Sequence, residues 1–78
     1  MDIPELVESM AKALVDRPEM VRVSELKGEQ TTVIELKVAK EDMGKIIGKG
    51  GRIATALRII LGAISTKTKR NLVLEILE

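Results

Sequence analysis

Three glycines within residues 48–51 constrain the fold of this chain more than any other feature of its sequence. They interrupt a long stretch in which apolar residues recur at helical spacing. Because each glycine inside a helix costs about 1 kcal/mol relative to alanine, the three together oppose a continuous helix by roughly 3 kcal/mol. The sequence therefore predicts two helices, about residues 41–47 and 52–65, joined by a very tight turn. The residues expected on their common apolar side are Met43, Ile46, Ile47, Ile53, Leu57, Ile60 and Ile64.

The chemistry of this turn suits a phosphate group. Glycine adopts positive φ angles and lets another molecule approach the backbone closely. The turn leads into the start of a helix, where free N–H groups and the positive end of the helix dipole favour an anion, and Lys49 and Arg52 add positive charge there. Gly44 and Gly48 have the wrong spacing for a P-loop, and no dinucleotide-binding G-x-G-x-x-G pattern fits. The alternative is a glycine-rich connection that binds nothing.

The composition narrows the classes of function. The 78 residues include no Phe, Trp, Tyr, Cys or His, which removes disulfides, thiol nucleophiles, typical zinc sites and the usual general base. We expect one domain, residues 1–78, with an aliphatic core, no cofactor and no metal, and we do not expect an enzyme. The chain start lacks the basic region of a signal peptide, and the longest apolar run, 59–64, is too short to span a bilayer. These features favour a soluble, cytoplasmic protein without membrane attachment.

The net charge of +1 conceals an uneven distribution. Residues 1–39 carry a net charge of −3, whereas residues 40–78 carry +4. Residues 45–70 contain seven basic residues and no acidic residue. A basic segment is often only a solvated surface, but its coincidence with the glycine turn favours a nucleic-acid-binding surface.

Hydrophobic periodicity assigns the remaining elements. Apolar residues at helical spacing predict a first helix over about 3–15. Alternating apolar and polar residues predict an antiparallel pair of strands, 20–27 and 31–39, and a last strand at 71–77. A polar, basic loop is expected at 65–70. Because only one face of the strands is consistently apolar, the prediction is an α+β fold in the order α-β-β-α-α-β, with all three helices on one face of a three-stranded sheet.

The segment Ile47-Gly48-Lys49-Gly50-Gly51 resembles the I-G-x-x-G core of the KH domain. The predicted element order is similar to the type II KH arrangement over essentially the whole chain, and the length resembles that of the small stand-alone bacterial KH proteins of the KhpA family. The resemblance implies a type II KH-like mixed sheet and a GxxG loop that clamps about four nucleotides of single-stranded RNA or DNA. It also implies an RNA-chaperone-like protein that acts with a larger KH-containing partner. In one departure from the family, Ala54 stands three places after the second glycine, where many KH domains have Ile.

The resemblance also implies a set of site residues. Those that would contact phosphates are Lys45, Gly48, Lys49, Gly50, Gly51 and Arg52. Ile46 and Ile47 would either wall an apolar groove for the bases or hold the two helices together. A second set, Lys67, Lys69 and Arg70, is expected in the loop before the last strand, which flanks the groove in the type II arrangement. Without aromatic side chains on which bases stack, binding should be weak and sequence-tolerant, which favours a second domain or a dimer.

A different class of function stays open. Ile59 and Ala63 point away from the apolar side of their helix. They favour a protein-interaction module that forms a homodimer, or a heterodimer with a larger KH-containing protein, with RNA contact incidental. Scattered surface apolar residues are also normal in proteins that pair with nothing.

Overall fold

A computed structural model describes residues 2–78 of the chain, with the exception of the Lys49 side chain. The helices are α1 (Ile3–Leu14), α2 (Lys40–Ile47) and α3 (Arg52–Thr68), and the strands are β1 (Arg22–Lys27), β2 (Thr31–Lys37) and β3 (Asn71–Leu77). Short 3-10 turns, Pro18–Met20 and Lys49–Gly51, come before β1 and α3. The predicted order α-β-β-α-α-β is confirmed.

The three strands form a mixed sheet in the order β1-β2-β3. β1 is antiparallel to β2, whereas β3 runs parallel to β2, with Thr31 opposite Asn71. A parallel neighbour needs a long crossover, and α2, the glycine turn and α3 supply it. The 17 residues of α3 span about 25 Å at 1.5 Å per residue. α3 therefore ends beside the β1–β2 hairpin, and its start and the glycine turn lie at the opposite end of the domain.

The core is built entirely from aliphatic side chains and lies between the sheet and the helices. β2 is the central strand, and its alternation places Ile34 and Leu36 fully inside. Burying a side chain of this size contributes about 1.5–3 kcal/mol. The buried cluster comprises Val7, Ala11, Val15, Val21, Ile34, Leu36, Val38, Ile46, Ala54, Leu57, Leu61 and Leu74.

Both hairpin strands are shorter than predicted. β1 begins at Arg22 rather than at residue 20, because Pro18 starts a 3-10 turn that extends to Met20. β2 ends at Lys37, and the two following residues are buried in the connection to α2. The 3-10 turn at Pro18 therefore decides the start of β1 more than β propensity does.

The predicted loop at 65–70 is wrong for most of its length, because α3 continues to Thr68. The hydroxyl groups of Thr66 and Thr68 donate to the carbonyl oxygens of Gly62 and Ile64 at 3.1 and 2.8 Å. These bonds to the preceding turn let polar residues remain helical. The polar composition of residues 65–68 therefore does not end the helix.

The prediction of one apolar side shared by α2 and α3 is also wrong in part. The buried stripe of α3 consists of Ala54, Leu57 and Leu61, whereas Ile47 and Ile60 are exposed. The other five predicted residues lie in or against the same core, so only these two depart from the prediction; the five are Met43, Ile46, Ile53, Leu57 and Ile64. Within residues 2–78, no helix has both the length and the apolar run that a membrane span requires.

Candidate nucleic-acid interface

The bend between α2 and α3 begins with a close approach of two backbone segments. The Gly48 N–H donates to the Gly44 carbonyl oxygen at 2.7 Å. A Cβ atom on Gly48 would lie only 2.1 Å from that oxygen, far inside van der Waals contact. Residue 48 must therefore be glycine for steric reasons, although its φ angle of −79° is ordinary.

The next two glycines are required by conformation. Gly50 and Gly51 have φ angles of 75° and 67°, in the left-handed region that L side chains rarely adopt. Nothing lies within 4 Å of the place where a Gly50 Cβ would stand, and Gly50 is exposed. The Gly51 N–H closes the turn by donating to the Gly48 carbonyl at 2.9 Å. The backbone at Gly50 is consequently open to an approaching molecule.

The start of α3 adds donors and positive charge to this open backbone. Gly51 is the N-cap of α3, no side chain caps the helix, and its first turn contains no acidic residue. The N–H groups of that turn and the positive end of the helix dipole therefore favour an anion. Arg52, the first residue of α3, is exposed at the same point. The local geometry can bind a phosphate oxygen.

The structure separates the predicted residues that flank the bend. Ile46 is fully buried in the core, which agrees with the second of its two expected roles, holding the helices in place, rather than with a groove wall. Ile47 is 54% exposed beside the bend. The Lys45 ammonium lies 2.9 Å from an Asp16 carboxylate oxygen, in an exposed ion pair. The side chain of Lys49 lies outside the described residues.

The second predicted set lies at the other end of α3, about 24 Å from the bend by helical rise. Lys67 is exposed in the last helical turn, and Lys69 follows the helix with a left-handed backbone. Arg70 is half-buried, with its Nη2 atom 3.2 Å from a Glu25 carboxylate oxygen. The structure therefore does not bring this set together with the glycine turn.

Sequence reasoning missed the residue that fixes α2 in place. Asp42 is 1% exposed, and its two carboxylate oxygens accept the main-chain N–H groups of Asp16 and Arg17, each at 3.0 Å. The bonds connect the start of α2 to the chain just after α1, and thereby position the bend. An acidic residue in a first helical turn was the only signal, and it fits the exposed Glu41 equally well.

Arg17 extends this junction on the surface. Its Nε atom donates to Glu19 at 2.8 Å, and its Nη1 atom donates to Glu41 at 3.1 Å. The hydrogen bond from Arg17 lowers the pKa of Glu19 below its ordinary value of 4.5. The hydrogen bond to Glu19, with the charges of Glu19 and Glu41, raises the pKa of Arg17. Among the described residues, no group of three or more acidic side chains is arranged to hold a metal ion.

Comparison with known proteins gives a consistent result. The family model for the KhpA/KhpB KH domain matches residues 4–76. The RNA-binding protein KhpA of Caldanaerobacter subterraneus subsp. tengcongensis is 55% identical over 73 residues, which are 94% of this chain and 97% of the relative. The RNA-binding protein KhpA of Aquifex aeolicus is 55% identical over 76 residues, 97% and 96% of the two chains. Among solved structures, none gives a significant match. The α-β-β-α-α-β fold, the glycine bend and these relatives together make this chain a member of the KhpA/KhpB family of KH domains.

Proposed function

We propose that this protein binds single-stranded RNA by holding the sugar–phosphate backbone against the bend at 48–51. The observation that carries the proposal is the uncovered, left-handed backbone at Gly50, directly before the uncapped start of α3. The relatives described above are named as RNA-binding proteins, which supports RNA as the ligand. The GxxG loops of KH domains bind about four nucleotides in this way.

In this mechanism, the N–H groups of the first turn of α3, and those of the bend other than Gly48 and Gly51, which already donate within it, donate to phosphate oxygens. Arg52, exposed at the start of α3, and Lys49 supply positive charge, and Ile47 offers an apolar surface to a base. Neutralisation of about three phosphates gives a slope of roughly −2 for the logarithm of the binding constant against the logarithm of salt concentration. No aromatic side chain is present for base stacking, so binding is weak and tolerant of sequence. Such binding suits an RNA-chaperone-like role.

The test is a double substitution, Lys49→Asp with Gly50→Asp, which places two negative charges on the bend. Aspartate tolerates the left-handed region better than most residues, and the space at Gly50 is open, so the fold should survive. A matched control, Lys12→Asp with Ala13→Asp, makes the same change in net charge on the exposed side of α1. We expect retention on an RNA column to be lost only in the bend variant, with both circular dichroism spectra unchanged. Retention of the bend variant would refute the proposal.

A second candidate function, pairing with another protein, is favoured by a separate surface. Ala56, Ile59, Ile60 and Ala63 form an exposed apolar stripe on α3, in which Ile59 is 67% exposed. The spacing places all four on one face of the helix. The partner would be a second copy of this chain or a larger KH-containing protein, since the family model names KhpA together with KhpB.

Sedimentation equilibrium distinguishes pairing from RNA binding. Ile59→Lys should abolish association and leave the circular dichroism spectrum intact, while the double aspartate substitution at the bend leaves association unchanged. Association that persists in the Ile59→Lys protein would exclude this face of α3 as the pairing surface.

A further inference from the structure

Thr55 differs in chemistry from every other polar side chain near the glycine bend. The polar side chains within residues 43–64 are those of Lys45, Lys49, Arg52, Thr55 and Arg58. The four cationic side chains donate hydrogen bonds and cannot accept them, whereas a threonine hydroxyl does both. Thr55 is therefore the one side chain of this segment that can accept a hydrogen bond from a ligand.

The position of Thr55 brings its hydroxyl group close to the bend. Thr55 is the fourth residue of α3 and is exposed. Its Oγ1 atom lies 4.0 Å from the place where a Cβ atom on Gly51 would stand. Residues three positions apart are neighbours on a helix surface, so Thr55 lies on the same face of α3 as Arg52. The hydroxyl is thus beside the groups that are proposed to hold a phosphate.

The Thr55 hydroxyl is not used within the fold as the structure describes it. In α3, the hydroxyl groups of Thr66 and Thr68 donate to the carbonyl oxygens four residues earlier. The hydroxyl groups of Thr31 and Thr32 accept hydrogen bonds from the side chains of the connection to β3 and of β3 itself. Thr55 makes no side-chain hydrogen bond to any residue of the described part of the chain. Its hydroxyl is consequently available to a ligand.

Neither packing nor helix formation explains a threonine at this position. The Thr55 side chain is outside the buried cluster. Threonine is β-branched and favours helix less than alanine, the residue that stands on either side of it at 54 and 56. A contact with a bound molecule gives the hydroxyl a use.

We infer that the Thr55 hydroxyl bonds the 2′-hydroxyl of a ribose whose phosphate the bend holds, so that the site prefers RNA to DNA; the inference rests on the proposed function. N–H groups and cations bind phosphate, which RNA and DNA share. The 2′-hydroxyl both donates and accepts, and only RNA has it. One turn of α3 spans about 5.4 Å, which is between one and two nucleotides at about 3.4 Å each, so a sugar next to the bound phosphate lies within reach of Thr55.

The test measures binding of RNA and DNA dodecanucleotides by fluorescence anisotropy. Both strands have the same bases, uracil included, so that they differ only in the 2′-hydroxyl. We expect the native protein to bind the RNA about two- to tenfold more tightly than the DNA, the effect of one hydrogen bond. Thr55→Val keeps the shape of the side chain without its hydroxyl, so its RNA binding should fall to the level of DNA, with DNA binding changed less than twofold.

Three further variants complete the design. Thr55→Ser retains the hydroxyl and should retain the preference for RNA. Thr55→Ala, which favours helix, should behave like Thr55→Val, with an unchanged circular dichroism spectrum. Thr66→Val, the matched control, removes an exposed hydroxyl near the other end of α3 and should leave the ratio of RNA to DNA binding unchanged.

Equal binding of RNA and DNA by the native protein, or a preference that persists in Thr55→Val, would overturn the inference. Equal weakening of RNA and DNA in Thr55→Val would also overturn it, because the hydroxyl would then contact a group that both strands share. In each of these cases the proposed function stands if the double aspartate substitution at the bend abolishes binding of both strands. RNA binding that survives the double substitution would instead refute the proposed function.

Discussion

Breaking the ion pair between Lys45 and Asp16 should strengthen RNA binding. The two groups are 2.9 Å apart, with side-chain exposures of 42% and 76%. An RNA phosphate at the bend must compete with the Asp16 carboxylate for the Lys45 ammonium. Asp16→Asn keeps the shape of the side chain and removes its charge. The bond from the Asp16 main-chain N–H to Asp42 does not involve the substituted atoms, so the junction of α1 and α2 should hold.

The size of the effect follows from the strength of the ion pair. An exposed pair of this kind contributes about 0.2–1 kcal/mol, so its removal should tighten RNA binding by a factor of about 1.4 to 5. If Lys45 then neutralises one more phosphate, the salt slope should steepen by about 0.7. Fluorescence anisotropy at several salt concentrations measures both quantities. Glu8→Gln is the control, because it makes the same change in net charge and releases Lys12 from an exposed pair at 3.3 Å on α1.

Comparing RNA binding by Asp16→Asn with RNA binding by Glu8→Gln separates a local effect at Lys45 from an effect of net charge. Equal tightening in both would show a general effect of net charge. Unchanged or weaker binding in Asp16→Asn would show that Lys45 is not on the path of the phosphates.

Three further predictions concern the junction and the bend. Gly48→Ala should lower the free energy of unfolding by about 2–3 kcal/mol, because the new Cβ atom would lie 2.1 Å from the Gly44 carbonyl oxygen. Gly44→Ala should raise the free energy of unfolding by about 0.5–1 kcal/mol, because nothing lies within 4 Å of its Cβ position. Urea denaturation measures both changes. Asp42→Ala should lower the free energy of unfolding by about 2–4 kcal/mol, since two main-chain N–H groups lose their buried carboxylate acceptor. Glu41→Ala, which removes an exposed ion pair, should change the free energy of unfolding by at most about 1 kcal/mol. The folded-state pKa of Glu19 lies below 4.5, so its contribution to stability is present above that pH and is lost as the pH falls through the folded-state pKa. The stability difference between the native protein and Glu19→Gln should therefore shrink below pH 4.5, and a difference that is constant with pH would contradict this.

The features that could be predicted from the sequence are those that depend on neighbouring residues along the chain. Ile34 and Leu36 alternate with polar residues, and the strand that results is the centre of the sheet with these two inside. The glycines at 48–51 could not continue a helix, and the structure places the bend there. Local periodicity and backbone sterics suffice for both.

The features that could not be predicted depend on contacts between distant segments. Asp42 accepts N–H groups from residues 25 and 26 positions away, and no local pattern distinguishes it from Glu41. The exposure of Ile60 and the burial of Leu61 depend on which side of α3 packs on the rest of the fold, which the sequence of α3 alone does not determine. Arg70 lies in the loop before β3, as predicted, and its Nη2 atom also donates to Glu25 on β1. No local pattern indicates that contact, because the two residues are 45 positions apart.

The most direct test of the central proposal is an amide chemical-shift titration of the isotope-labelled protein with single-stranded RNA. If the bend holds the sugar–phosphate backbone, the amide signals of Gly48, Gly50, Gly51 and Arg52 should shift most as RNA is added. Shifts that occur elsewhere, with these four signals unmoved at saturation, would contradict the proposal.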